Sequence, residues 1–105
     1  MSLDGGPADG PGRARGGFEV SDHAREKLEE RGINRGVLDS VLTHPQQVVP
    51  ERAGRRVYQS LVDFGGGKIL LVRAIVDLGP EPPVVVTVYR TARIAKYWRA
   101  NEGDL

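Results

Sequence analysis

Apolar positions along this chain change their period near its middle. Between Ser21 and Thr43 they recur at helical spacing, with a thin stripe of Ala24 and Leu28, then a fuller one of Val37, Leu38, Val41 and Leu42. From residue 56 onward, valine, isoleucine, leucine and tyrosine gather into runs of strand length over 56–64, 68–77 and 84–90. Gly65-Gly66-Gly67 reads as a hairpin loop between the first two runs. Gly79-Pro80-Glu81-Pro82-Pro83 separates the next two and cannot continue a strand.

The polar punctuation agrees. Ser21 or Asp22 offers a side-chain oxygen to cap a first helix running to Arg31, and Gly32 suits the left-handed position that ends it. Asn34 caps a second helix, which must stop before His44-Pro45 because proline disfavours helix in the residue ahead of it. Phe18–Val20 is expected as a very short strand and Gln47–Pro50 as an edge strand, where its proline is tolerated. Ile94, Tyr97 and Trp98 recur at helical spacing and predict a short terminal helix. The fold class expected is α+β, with two N-terminal helices packed on an antiparallel sheet of three to four strands.

Alternation assigns faces. Leu70, Val72, Ala74 and Val76 form one face of the central strand, and Ile69, Leu71, Arg73 and Ile75 the other. In the last strand Val84, Val86 and Val88 are expected to share the helix-covered face. That leaves Val85, Thr87 and Tyr89 on the open face with Arg73, and Gln59 beside them. A cation, a hydroxyl and a phenol on an apolar surface suit a binding site. An ordinary half-exposed sheet is the alternative.

Composition sets bounds. With 105 residues the chain supports one domain, placed at 18–99, behind a Gly/Pro-rich tail over 1–17 that lacks the apolar side chains to offset its ordering, and ahead of a frayed end over 100–105. There is no cysteine, which excludes disulfides and thiolate chemistry and fits a cytoplasmic setting. No apolar run approaches the ~20 residues of a membrane span, so a soluble chain with no membrane partner is expected. The net charge is only +1. Arginine outnumbers lysine 12 to 3, which favours phosphate recognition but also fits a coding bias.

One further constellation lies on the first helix. His23, Lys27 and Arg31 are spaced i, i+4, i+8 and drift slowly along one side. A histidine moves protons near neutral pH, and lysine and arginine hold phosphate oxygens. Glu26, Glu29 and Glu30 share this helix, so a solvated, ion-paired surface explains the same residues. The two histidines have no metal-ligand spacing and there is no P-loop, so neither a metal nor a cofactor is expected.

The stretch from Ser21 to Ile33, with its His23-Ala24 pair and its Arg31-Gly32-Ile33 ending, resembles the small bacterial domain-of-unknown-function family DUF4258. So do Val86-Thr87-Val88-Tyr89 and Lys96-Tyr97-Trp98. That family is grouped by fold with RelE-type toxins and colicin-type ribonucleases. The resemblance implies a RelE-like fold, a concave RNA-binding sheet surface, and a metal-independent endoribonuclease, the toxin of a toxin–antitoxin pair. His23, Arg31, Thr87 and Tyr89 would be catalytic, Lys27 and Arg73 would bind RNA, and the partners would be RNA and an antitoxin protein. A non-catalytic RNA- or protein-binding module of the same fold is the alternative, and an accessory domain without a site is a third.

Overall fold

A computed structural model of the chain describes residues 13–14 and 17–99. The tail expected over 1–17, apart from Arg13–Ala14 and Gly17, and the frayed end expected over 100–105 lie outside the described residues. The elements are β1 (Arg13–Ala14), β2 (Phe18–Val20), α1 (Asp22–Glu30), α2 (Arg35–Thr43), β3 (Gln47–Pro50), β4 (Arg55–Asp63), β5 (Ile69–Asp77), β6 (Val84–Thr91) and α3 (Ile94–Tyr97).

The class α+β stands, but the sheet expected from the sequence does not. In place of three or four antiparallel strands there is one mixed sheet in the order β1-β2-β6-β5-β4-β3, with the two-residue β1 outermost. The sheet is mixed because β2 pairs parallel to β6, through Glu19↔Val84 and Val20↔Val85. The other pairings are antiparallel. Alternation within a strand reports which face is buried but not which distant segment lies alongside, so a three-residue parallel partner leaves no periodic signal. Sheet outweighs helix in this molecule.

Both helices begin and end by local chemistry. Ser21 Oγ accepts from the Ala24 N–H at 3.0 Å and caps α1. At the other end Gly32 adopts φ +64°. There the Ile33 N–H donates to Leu28 O at 2.9 Å and the Gly32 N–H to Glu29 O at 3.3 Å, which is the paired closure of a Schellman turn. Asn34 Oδ1 caps α2 by accepting from the Val37 N–H at 2.9 Å.

The helices cover one sheet face. Ala24, Leu28, Leu38, Val41 and Leu42 pack against Val72, Ala74, Val76, Val85 and Val88. Val85 is there because β6 bulges. Ile75 pairs with Thr87 but Val76 pairs with Val85, so Val86 is the extra residue. Val86 therefore joins Val49, Val57, Ile75 and Tyr89 in a smaller cluster on the opposite face. The expected placement of Val86 under the helices, and of Val85 away from them, is reversed by that one residue. Thr87 and Tyr89, beyond the bulge, lie on the open face as expected. Among the described residues no helix is long and apolar enough to cross a membrane.

Candidate functional site

The open face carries a polar row at right angles to the strands. Register sets Gln47 on β3 opposite Gln59 on β4, Gln59 opposite Arg73 on β5, and Arg73 opposite Tyr89 on β6. Their side chains hydrogen-bond in sequence. Gln59 Nε2 donates to Gln47 Oε1 at 2.8 Å, Arg73 Nε to Gln59 Oε1 at 2.7 Å, and Arg73 Nη1 to the Tyr89 hydroxyl at 2.5 Å. Gln59 is fully buried. A buried amide is costly unless satisfied, and here the neighbouring strands satisfy it on both sides.

The α3 turn lies over this row. Gln59 Nε2 also donates to Tyr97 O at 3.3 Å, and Gln47 both donates to Arg99 O at 2.9 Å and accepts from the Arg99 N–H at 3.1 Å. The Tyr97 ring sits over the Arg73 guanidinium at 4.1 Å and meets Tyr89 edge-on, with centroids 6.2 Å apart.

Arg31 completes the cluster from the other side of the sheet. β2 covers the outer edge of β6 only as far as Val85. Beyond it, α1 supplies side-chain partners to that edge. Ser21 Oγ donates to Val86 O at 3.4 Å and Arg31 Nη1 to Val88 O at 3.1 Å. This brings the Arg31 guanidinium to 6.0 Å from the Tyr89 ring, with Arg73 at 5.8 Å. Among the described residues no carboxylate pairs with Arg31 or Arg73. A cleft of about 730 Å³ opens beside Tyr89, bounded by Glu29, Arg31, Gly32 and Arg90.

The two phenols titrate apart. Burial pushes Tyr89 above its ordinary value of 10.0, against the opposing pull of the Arg73 hydrogen bond and charge. Tyr97 is held below 10.0, first by the neighbouring Tyr89 hydroxyl against the opposing effect of burial, with Lys96 and Arg73 adding to the lowering.

Of the residues singled out in the sequence, the structure gathers Arg31, Arg73 and Tyr89 and sets Thr87 on the same face, opposite Ile75. It leaves His23 exposed on the first turn of α1, about 12 Å along the helix from Arg31 at the usual rise per residue. Lys27 is engaged with Glu30 at 3.1 Å. Sequence reasoning missed Gln47 as a member of the site and saw Tyr97 only as part of a short terminal helix. The register of β3 against β4 is what brings Gln47 into the row. Among the described residues no three His, Asp or Glu side chains come together as a metal group would require.

The class is thus an α+β domain with a helix-covered sheet whose other face presents arginines and tyrosines. The chain belongs to the family described as Domain of unknown function (DUF4258), whose model matches residues 20–90. The match takes in Arg31, Gln47, Gln59, Arg73, Thr87 and Tyr89 and ends before α3. No curated protein and no solved structure matches the chain.

Proposed function

We propose that this domain binds unpaired RNA on the open sheet face. One observation carries the reading: two arginines, neither with a carboxylate partner among the described residues, flank a single half-buried tyrosine. Guanidinium groups fork onto phosphate oxygens, and aromatic rings and guanidinium planes stack on bases that duplexes keep covered. Thr87 adds a hydroxyl on the same face. A cytoplasmic setting goes with an RNA ligand and a cysteine-free chain.

The test is fluorescence anisotropy with a labelled single-stranded oligoribonucleotide. Binding is expected to weaken when Arg31 or Arg73 becomes alanine and to be unaffected by His23→Ala. Equal binding by wild type and the double arginine variant would remove the reading.

A second reading, metal-independent cleavage, is favoured by the state of Tyr89. Its hydroxyl accepts from Arg73, whose hydrogen bond and charge pull the phenol toward greater acidity against the effect of burial. In such a step the 2′-oxygen attacks phosphorus as its proton passes to water. The P–O5′ bond then breaks, and Tyr89 gives its proton to the leaving O5′ while the arginines hold the non-bridging oxygens. The products are a 2′,3′-cyclic phosphate and a 5′-hydroxyl. Incubation with RNA in EDTA tests it, and Tyr89→Phe should slow the reaction roughly 10²–10⁴-fold, the range for a general acid. A toxin role and an antitoxin partner belong to this second reading alone.

A further inference from the structure

The flat face of an arginine is a good stacking surface only when the guanidinium is held still. Arg73 is held still. It rises from a central strand, its Nε is tied to the buried Gln59 at 2.7 Å, and its Nη1 is tied to Tyr89 at 2.5 Å. Two in-plane bonds fix the orientation of the group and leave its face free to be covered. What covers it is the ring of Tyr97, at 4.1 Å.

The element that carries this ring is lightly attached. α3 has four residues, none of them buried, and no side-chain hydrogen bond caps its start. Its backbone ties to the sheet are polar, the Tyr97 and Arg99 carbonyls and the Arg99 N–H, all met by the amides of Gln47 and Gln59, and they stand beside the contacts of the Tyr97 ring with Arg73 and Tyr89. Water can replace such bonds at small net cost, whereas a buried apolar anchor would resist release.

We infer that the Arg73 face is a preformed stacking site for an unpaired nucleobase, that Tyr97 occupies it in the ligand-free protein, and that α3 lifts to admit the base. This rests on the RNA-binding reading above and adds where the base goes and what it displaces. A base enters with its planar face on the guanidinium, in the place the Tyr97 ring now takes. A duplex is refused because its bases already have both faces covered. The cover lowers apparent affinity by the fraction of time it stays closed.

The chain carries its own reporter. Trp98, the single tryptophan, follows Tyr97 directly and is half-buried. The experiment titrates the full chain with a single-stranded uridine oligonucleotide and with a duplex of equal length, following anisotropy and the Trp98 emission. Tyr97→Ala is expected to bind the single strand about two- to five-fold more tightly than wild type, the return from releasing one cation–π contact at a half-exposed site. Gln47→Ala, which frees Arg99 without touching the ring, should move affinity in the same direction. Tyr97→Phe keeps the ring and should match wild type. On binding, Trp98 emission should shift to the red as its surroundings become wetter, and the duplex should not compete.

Binding by Tyr97→Ala alone, with none by wild type, would also support the cover. If Tyr97→Ala binds equally or more weakly while wild type binds, the ring is part of the site, and the cover falls while the RNA-binding reading stands. If neither protein binds the single strand, both fall.

Discussion

Gln59 shows how a single polar residue can hold a site together. It is fully buried, yet its amide accepts from Arg73 and donates to Gln47 and to the Tyr97 carbonyl. Gln59→Leu keeps the volume and removes each of these bonds, leaving Arg73 Nε without its acceptor in a poorly solvated place. The substitution should cost about 1–3 kcal/mol, read from the denaturant midpoint. The phenols give a second prediction at this scale. Tyr97 lies below 10.0 and Tyr89 above it, so phenolate absorbance should rise in separated steps, with the early one lost in Tyr97→Phe and the late one lost in Tyr89→Phe. The sign for stability follows. A group whose folded pKa is raised binds its proton more tightly when folded, so the contribution of Tyr89 is complete below 10.0 and fades as pH climbs through the higher folded value. A Tyr89→Phe variant should therefore lose less stability than wild type in that alkaline window.

At the scale of elements, the bulge in β6 decides what each side chain can do. Strict alternation along residues 84–90 would bury Val86 and expose Val85. The extra residue reverses them, and Val85 is fully buried beneath the helices while Val86 lies half-buried on the other face. Val85→Ala should thus cost about 1–3 kcal/mol, through lost burial and a residual cavity, and Val86→Ala distinctly less. Equal costs in urea melts would mean that the strand continues without a bulge. The helices were legible in the sequence for a physical reason. Their starts, ends and apolar stripes are set by local signals such as Ser21, Gly32, Asn34 and the Val37–Leu42 spacing. The bulge was not, because an inserted residue leaves an ordinary run of valines. The β2–β6 pairing was not either, because its partners are far apart in the chain and β2 buries only Val20 deeply.

The candidate site belongs to the whole molecule, which is why only part of it could be read in advance. Arg73 and Tyr89 share an open face by alternation, and that much was visible. Arg31 joins them only because β2 stops at Val85 and frees the rest of the edge of β6, a consequence of global topology. His23 shares a helix side with Arg31 but stays near the far end of α1, since helical spacing aligns residues without bringing them together. The charge of the whole chain then limits how the site can work. With a net charge of +1, long-range attraction to a polyanion is weak, and affinity must come from the few cations at the site and from stacking. Each phosphate neutralised on a single strand contributes about −0.7 to the slope of log affinity against log salt. Arg31 and Arg73 together correspond to a slope near −1.4, shallow beside that of strongly basic RNA-binding proteins. Anisotropy titrations of the oligonucleotide across a range of salt should give that value for wild type, and about −0.7 for Arg31→Ala. Tyr97→Ala should shift the line upward without changing its slope, because the ring competes for a stacking surface and carries no charge. A wild-type slope several times steeper would show that the arginines scattered over other surfaces, Arg52, Arg55 and Arg56 among them, carry the phosphates, and would move the RNA path away from Tyr89.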